Sequence, residues 1–146
     1  MSKIAESIEQ RNKNGQKSLT IFLTAGFPSK DIFLDAAKCA VDSGADILEI
    51  GIPFGDSLAD GPNIQYSYYS ALEQNIKIKD VLQFIEKIKN QLEIPLVIMG
   101  AANPINNYST ANFIKDAQKC GADGIIVPDV SLEEYDNFFV NTDPDF

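Results

Sequence analysis

Histidine is absent from the 146 residues, and cysteine and methionine occur only twice each. Without an imidazole there can be no Ser-His-Asp or Cys-His nucleophilic scheme and no histidine-based zinc site, because those mechanisms need that ring as base or ligand. Acid-base chemistry then falls to carboxylates, lysines or tyrosines. Cys39 and Cys120 lie inside helical patterns with no metal-type spacing, and the expectation for both is a buried, reduced thiol. Positive charge is also scarce: 12 basic residues stand against 21 acidic ones, for a net charge of -9. Such a balance argues against nucleic acid and against anionic membrane surfaces as partners. No apolar run approaches the roughly 18 to 20 residues needed to span a bilayer, and the polar start Met1-Ser2-Lys3 lacks a signal-peptide core. A cytoplasmic location is expected. No Gly-rich dinucleotide fingerprint or P-loop is present.

What is there fits one globular domain over residues 1–146, with 45% hydrophobic content and an irregular tail at 141–146. Four short apolar runs, LTIFLT from Leu19, DILEI from Asp46, PLVIM from Pro95 and GIIV from Gly124, read as strands. Between them the spacing predicts helices over Ser29–Ser43, Lys77–Leu92 and Ser109–Cys120. The first presents Ile32, Phe33, Ala36, Ala37, Ala40 and Val41 on one face and stops at Gly44, and the last stops at Gly121. Strand-helix alternation of this kind forms a parallel sheet covered by helices, which is either an open wound sheet or a barrel. The longest connection holds a polar loop, Gly51 to Pro62, and an extra short helix, Asn63 to Gln74. Long loops tend to carry function.

Ligands of α/β folds sit at the carboxyl ends of the strands. Glu49, in the apolar run Ile47-Leu48-Glu49-Ile50-Gly51, is therefore a candidate for proton transfer, since desolvation raises a carboxyl pKa. It reads equally as a strand-end carboxylate that accepts backbone N–H bonds. Asp60, just before Gly61-Pro62, is a second candidate and also a natural cap for the following helix. Asp56 and Asp129 are explicable as turn formers. Gly26 closes the first strand in a tight turn, and the tyrosines and phenylalanines are scattered, as core residues are.

The segment LEIGIPFGDSLADGPNIQ resembles the signature of tryptophan synthase α subunits, and FLTAGFPS at 22–29, NPI at 103–105 and GADGIIVPDVSLEE at 121–134 resemble further blocks of that family in the same order. The resemblance implies a TIM (β/α)₈ barrel, of which this chain would cover strands 1–4. It also implies aldol cleavage of indole-3-glycerol phosphate to indole and glyceraldehyde 3-phosphate without metal or organic cofactor. By the same likeness Glu49 is the general acid-base and Asp60 stabilises charge at the indole nitrogen. Phe22, Thr24 and Ile126 would contact substrate, while Pro53, Asp56 and Asn103 would face a partner β subunit in an α2β2 complex, to which the pyridoxal phosphate belongs.

Departures accompany the likeness. Gly55-Asp56-Ser57 stands where the family usually has Ser-Asp-Pro, which removes a stiffening proline; Ala101 and Ala102 stand where an aromatic is usual, and Ser131 replaces a proline. A (β/α)₈ chain takes roughly 250 residues, with phosphate held after strands seven and eight. The expectation is therefore a truncated chain or partial record with weak or no lyase activity and with exposed sheet edges. The alternative is a non-catalytic fragment that docks on the β subunit or on itself.

Overall fold

The computed structural model describes residues 2–57, 60–139 and 146. Its strands are β1 (Thr20–Thr24), β2 (Ile47–Gly51), β3 (Leu96–Met99) and β4 (Gly124–Ile126), and they form one sheet in the order β1-β2-β3-β4. Every pairing is parallel. Each strand thus lies beside the next in sequence and the order never reverses, as in a barrel wall and unlike a doubly wound sheet with its switch point.

The helices are α1 (Lys3–Lys13), α2 (Lys30–Asp42), α3 (Pro62–Glu73), α4 (Ile78–Gln91), α5 (Ala102–Tyr108), α6 (Thr110–Cys120) and α7 (Tyr135–Phe138). Ser29 caps α2 by accepting the Ile32 N–H at 3.3 Å, and Gly121, with φ of 94°, ends α6 in the left-handed conformation. Both ends were legible from their residues. Alternate positions of the strands face the outer helices: Leu48, Ile50, Leu96 and Ile98 are fully buried there against Phe33, Ala37, Val81, Ile85, Phe113 and Ala117. The opposite face carries two rows set by register. Phe22, Glu49, Val97 and Gly124 form one; Thr24, Gly51, Met99 and Ile126 form the other, nearer the carboxyl ends. On this inner face Ile126 is exposed, while Ile4 of α1 packs against Gly124.

Four expectations are corrected. Cys39 is exposed on the outer side of α2, and only Cys120, half-buried, behaves as a core thiol, its pKa pushed up to about 11 by burial. Ile32 is 53% exposed, because one turn into α2 its side chain falls outside the stripe that Phe33 and Ala37 bury. The extra helix begins at Pro62 rather than Asn63 and takes Gly61 as its N-cap without a side-chain bond, so Asp60 does not cap it. Helices α1, α5 and α7 were not anticipated; α1 buries no residue fully and α7 has only 4 residues, so neither writes an apolar stripe into the sequence. Of the tail at 141–146, residues 141–145 lie outside the described residues.

Candidate functional site

Register brings four of the singled-out residues onto the inner face. Phe22 pairs with Glu49 across β1 and β2, and in the next row Thr24 pairs with Gly51 while Met99 pairs with Ile126. Glu49 is the one residue of β2 that is only half-buried. Burial alone raises its carboxyl pKa, and among the described residues no hydrogen bond to backbone or side chain holds the charged form. A carboxyl so placed is a proton donor and acceptor nearer neutrality than an ordinary glutamate.

Gly51 must be glycine here because of close approach. A Cβ at that position would stand 2.5 Å from the Phe22 ring and 3.0 Å from the Tyr68 hydroxyl. The missing side chain lets those two aromatics converge over β2, one from β1 and one from α3. Tyr68 comes from the buried face of α3, where Ile64, Ser67, Tyr68 and Ala71 follow helical spacing; Tyr66 and Tyr69 point outward. Burial, then Asp60, then Glu49 all raise the Tyr68 pKa, so the phenol is neutral and both carboxylates lie within electrostatic reach of it.

Asp60 sits at the rim. Its backbone N–H donates to the Ser57 carbonyl at 3.1 Å and its own carbonyl accepts from Gln65 Nε2 at 2.8 Å, which ties the loop to α3. With Phe54, Tyr68, Met99 and Ala101 it lines a cavity of about 370 Å³ at the carboxyl ends of β2, β3 and β4. Asp56 and Asn103 line the same cavity, whereas Pro53 is buried and does not line it. Asp129 accepts the Ala102 N–H through both carboxylate oxygens, at 2.9 and 3.1 Å, and so links the loop after β4 to the start of α5. Thr24 uses its hydroxyl on Ser67, at 2.6 Å. Sequence reasoning passed over Tyr68, although its place at i+4 from Ile64 on a helix face was readable.

Among the described residues no group of three or more acidic, cysteine or histidine side chains is placed to hold a metal ion. No helix among them is long and apolar enough to cross a membrane.

A family model described as tryptophan synthase alpha chain matches residues 8–143. A tryptophan synthase alpha chain of Caldanaerobacter subterraneus subsp. tengcongensis is 40% identical over 134 residues, 92% of this chain and 51% of that protein. One from Christiangramia forsetii is 43% identical over 131 residues, 88% of this chain and 50% of that protein. Among solved structures, a tryptophan synthase subunit alpha of Legionella pneumophila superposes with a TM-score of 0.91 at 37% identity, covering 94% of this chain and 53% of that one. A tryptophan synthase from M. tuberculosis, crystallised in an aminoacrylate-bound form, gives 0.90 at 28% identity, covering 95% and 56%. The chain thus spans about half the length of the curated relatives it matches.

Proposed function

This chain belongs to the tryptophan synthase alpha chain family, and on that premise we propose that its inner face carries the acid-base half of a lyase that cleaves indole-3-glycerol phosphate to indole and glyceraldehyde 3-phosphate. Glu49 supports this reading most directly: a half-buried carboxyl with a raised pKa, paired in register with Phe22 on the inner face and within electrostatic reach of Tyr68, which lines the cavity. In the proposed reaction Glu49 gives a proton to C3 of the indole ring. Positive charge then develops at the ring nitrogen, where the Asp60 carboxylate stabilises it. The hydroxyl on the carbon attached to C3 loses its proton to the Glu49 carboxylate, its oxygen becomes the aldehyde carbonyl, and the carbon-carbon bond breaks with its electron pair returning to the ring. Glu49 ends as it began, and no cofactor of the chain's own takes part.

Phe22 and Ile126 would flank the indole, and Thr24 would shape that wall through its bond to Ser67. The phosphate grip of a (β/α)₈ barrel follows strands seven and eight, so these four strands would contribute proton transfer rather than phosphate binding. The exposed rim with Asp56 and Asn103 would face a β subunit carrying pyridoxal phosphate, in an α2β2 assembly in the cytoplasm.

Proton transfer can be tested without the phosphate. Indole incubated with the chain in deuterium oxide should gain deuterium at C3 faster than indole alone, followed by proton NMR, and Glu49→Gln should remove the acceleration. Equal exchange with both proteins would overturn the assignment of Glu49.

A further inference from the structure

Tyr68 is 3% exposed, yet among the described residues the one acceptor its hydroxyl reaches is the Met99 thioether at 3.9 Å. Thioether sulfur is a weak acceptor, and a buried hydroxyl normally finds a strong one. This donor stands over Gly51, whose absent side chain leaves room for it, at the edge of the cavity shared with Asp60 and Ala101. Between Met99 and Asn103 the β3 side of that cavity offers only glycine and alanine at 100–102, so its aromatic surface comes from Phe54 and Tyr68.

We propose that Tyr68 is a further substrate-contacting residue of this site: its ring packs against the indole, and its O–H exchanges the Met99 sulfur for the hydroxyl oxygen of the substrate's glycerol chain. The inference rests on the lyase reading above and adds to it the group that orients the reacting hydroxyl. Burial, with Asp60 and Glu49 beside it, holds the phenol neutral, so it remains a donor. A neutral phenol supplies a hydrogen bond to an oxygen that gains negative character as its own proton leaves, and it does so without placing a third anion beside the two carboxylates.

The test uses the whole chain, which has no tryptophan, so indole fluorescence excited beyond tyrosine absorption reports binding without a tryptophan background. Indole and indole-3-glycerol phosphate are titrated against the unsubstituted chain, Tyr68→Phe and Tyr68→Leu, with circular dichroism establishing that each is folded. Tyr68→Phe keeps the ring and should weaken indole-3-glycerol phosphate by roughly threefold to tenfold, the span of one neutral hydrogen bond, while leaving indole unchanged. Tyr68→Leu should weaken both ligands. If the unsubstituted chain binds both and Tyr68→Phe binds indole-3-glycerol phosphate equally well, the hydroxyl assignment is overturned while the lyase reading stands. Unchanged indole affinity in Tyr68→Leu overturns the ring contact. Failure of the unsubstituted chain to bind either ligand overturns both the inference and the reading beneath it.

Discussion

The hydroxyls of Thr24 and Ser67 meet at 2.6 Å in the interior, joining the last residue of β1 to the second turn of α3. Ser67 in turn donates to the Ile64 carbonyl at 2.8 Å, so the Thr24 hydroxyl is the donor in the bond between the two. That short chain of bonds holds the buried face of α3 over the sheet and with it Tyr68, the next residue.

Thr24→Val keeps the shape of the side chain and removes the donor, leaving a buried serine oxygen short of a partner. A loss of about 1–3 kcal/mol is expected, read as a lower urea midpoint. Thr24→Ser should recover most of it, and a double-mutant cycle with Ser67→Ala should give a coupling energy well above zero.

Glu49 makes stability depend on pH in a stated direction. Its folded pKa lies above the ordinary 4.5 because burial disfavours the charge. The folded state therefore holds the proton more tightly than the unfolded state. The favourable contribution is complete below about 4.5 and disappears as pH rises through the raised value. Glu49→Gln, which cannot ionise, should become progressively more stable than the unsubstituted chain across that window. Urea midpoints of the two proteins at pH 4 to 8 provide the comparison, and a constant difference would rule the linkage out.

Asp46 has the opposite sign. Burial pushes its pKa up, but the Leu19 N–H at 2.9 Å and the Arg11 guanidinium at 2.6 Å outweigh burial and hold it below the ordinary 3.8. Its contribution is present above that value and lost as pH falls through the lowered one. Asp46→Ala should cost about 1–2 kcal/mol near neutrality, since half-exposed Arg11 is partly screened, and the gap should narrow below pH 3.8. Because α1 buries no residue fully, amide exchange along Lys3–Lys13 should rise more than anywhere in β2 or β3.

Gly51→Ala would force a methyl against the Phe22 ring and the Tyr68 hydroxyl. Overpacking of this kind costs about 1–3 kcal/mol. The two aromatics should also separate, visible as chemical-shift changes on both rings in NMR spectra.

The strands were legible as short apolar runs and the three crossover helices as periodic apolar sets: Val81, Ile85 and Ile88 on α4 are all buried as their spacing implies. Helix α1 was not, because none of its residues is fully buried and its docking rests on ion pairs, Arg11 to Asp46 and Lys3 to Asp123, beside partial contacts such as Ile4 with Gly124. For the site, the family resemblance singled out Phe22, Thr24 and Glu49, but the register that sets them on one face came from the structure, and nothing in the spacing of Glu49 and Asp60 says that they share a tyrosine. That relationship depends on the angle at which α3 crosses the strand ends. It also requires a glycine at 51, and such requirements for space become visible only when a neighbouring ring is seen to occupy it.

The strand order β1-β2-β3-β4 has a temporal side. Each pairing among the described strands joins neighbours in sequence, so none of them waits on residues beyond the next strand. Glu49 meets Phe22 at the first such step, whereas Met99 reaches Tyr68 only after β3 is added. A chain emerging from the ribosome at about 5–20 residues per second would assemble Glu49 and its aromatic neighbours first and add the Met99 wall of the cavity second. Pulse-labelled nascent chains arrested after β2 and after β3 would record that order.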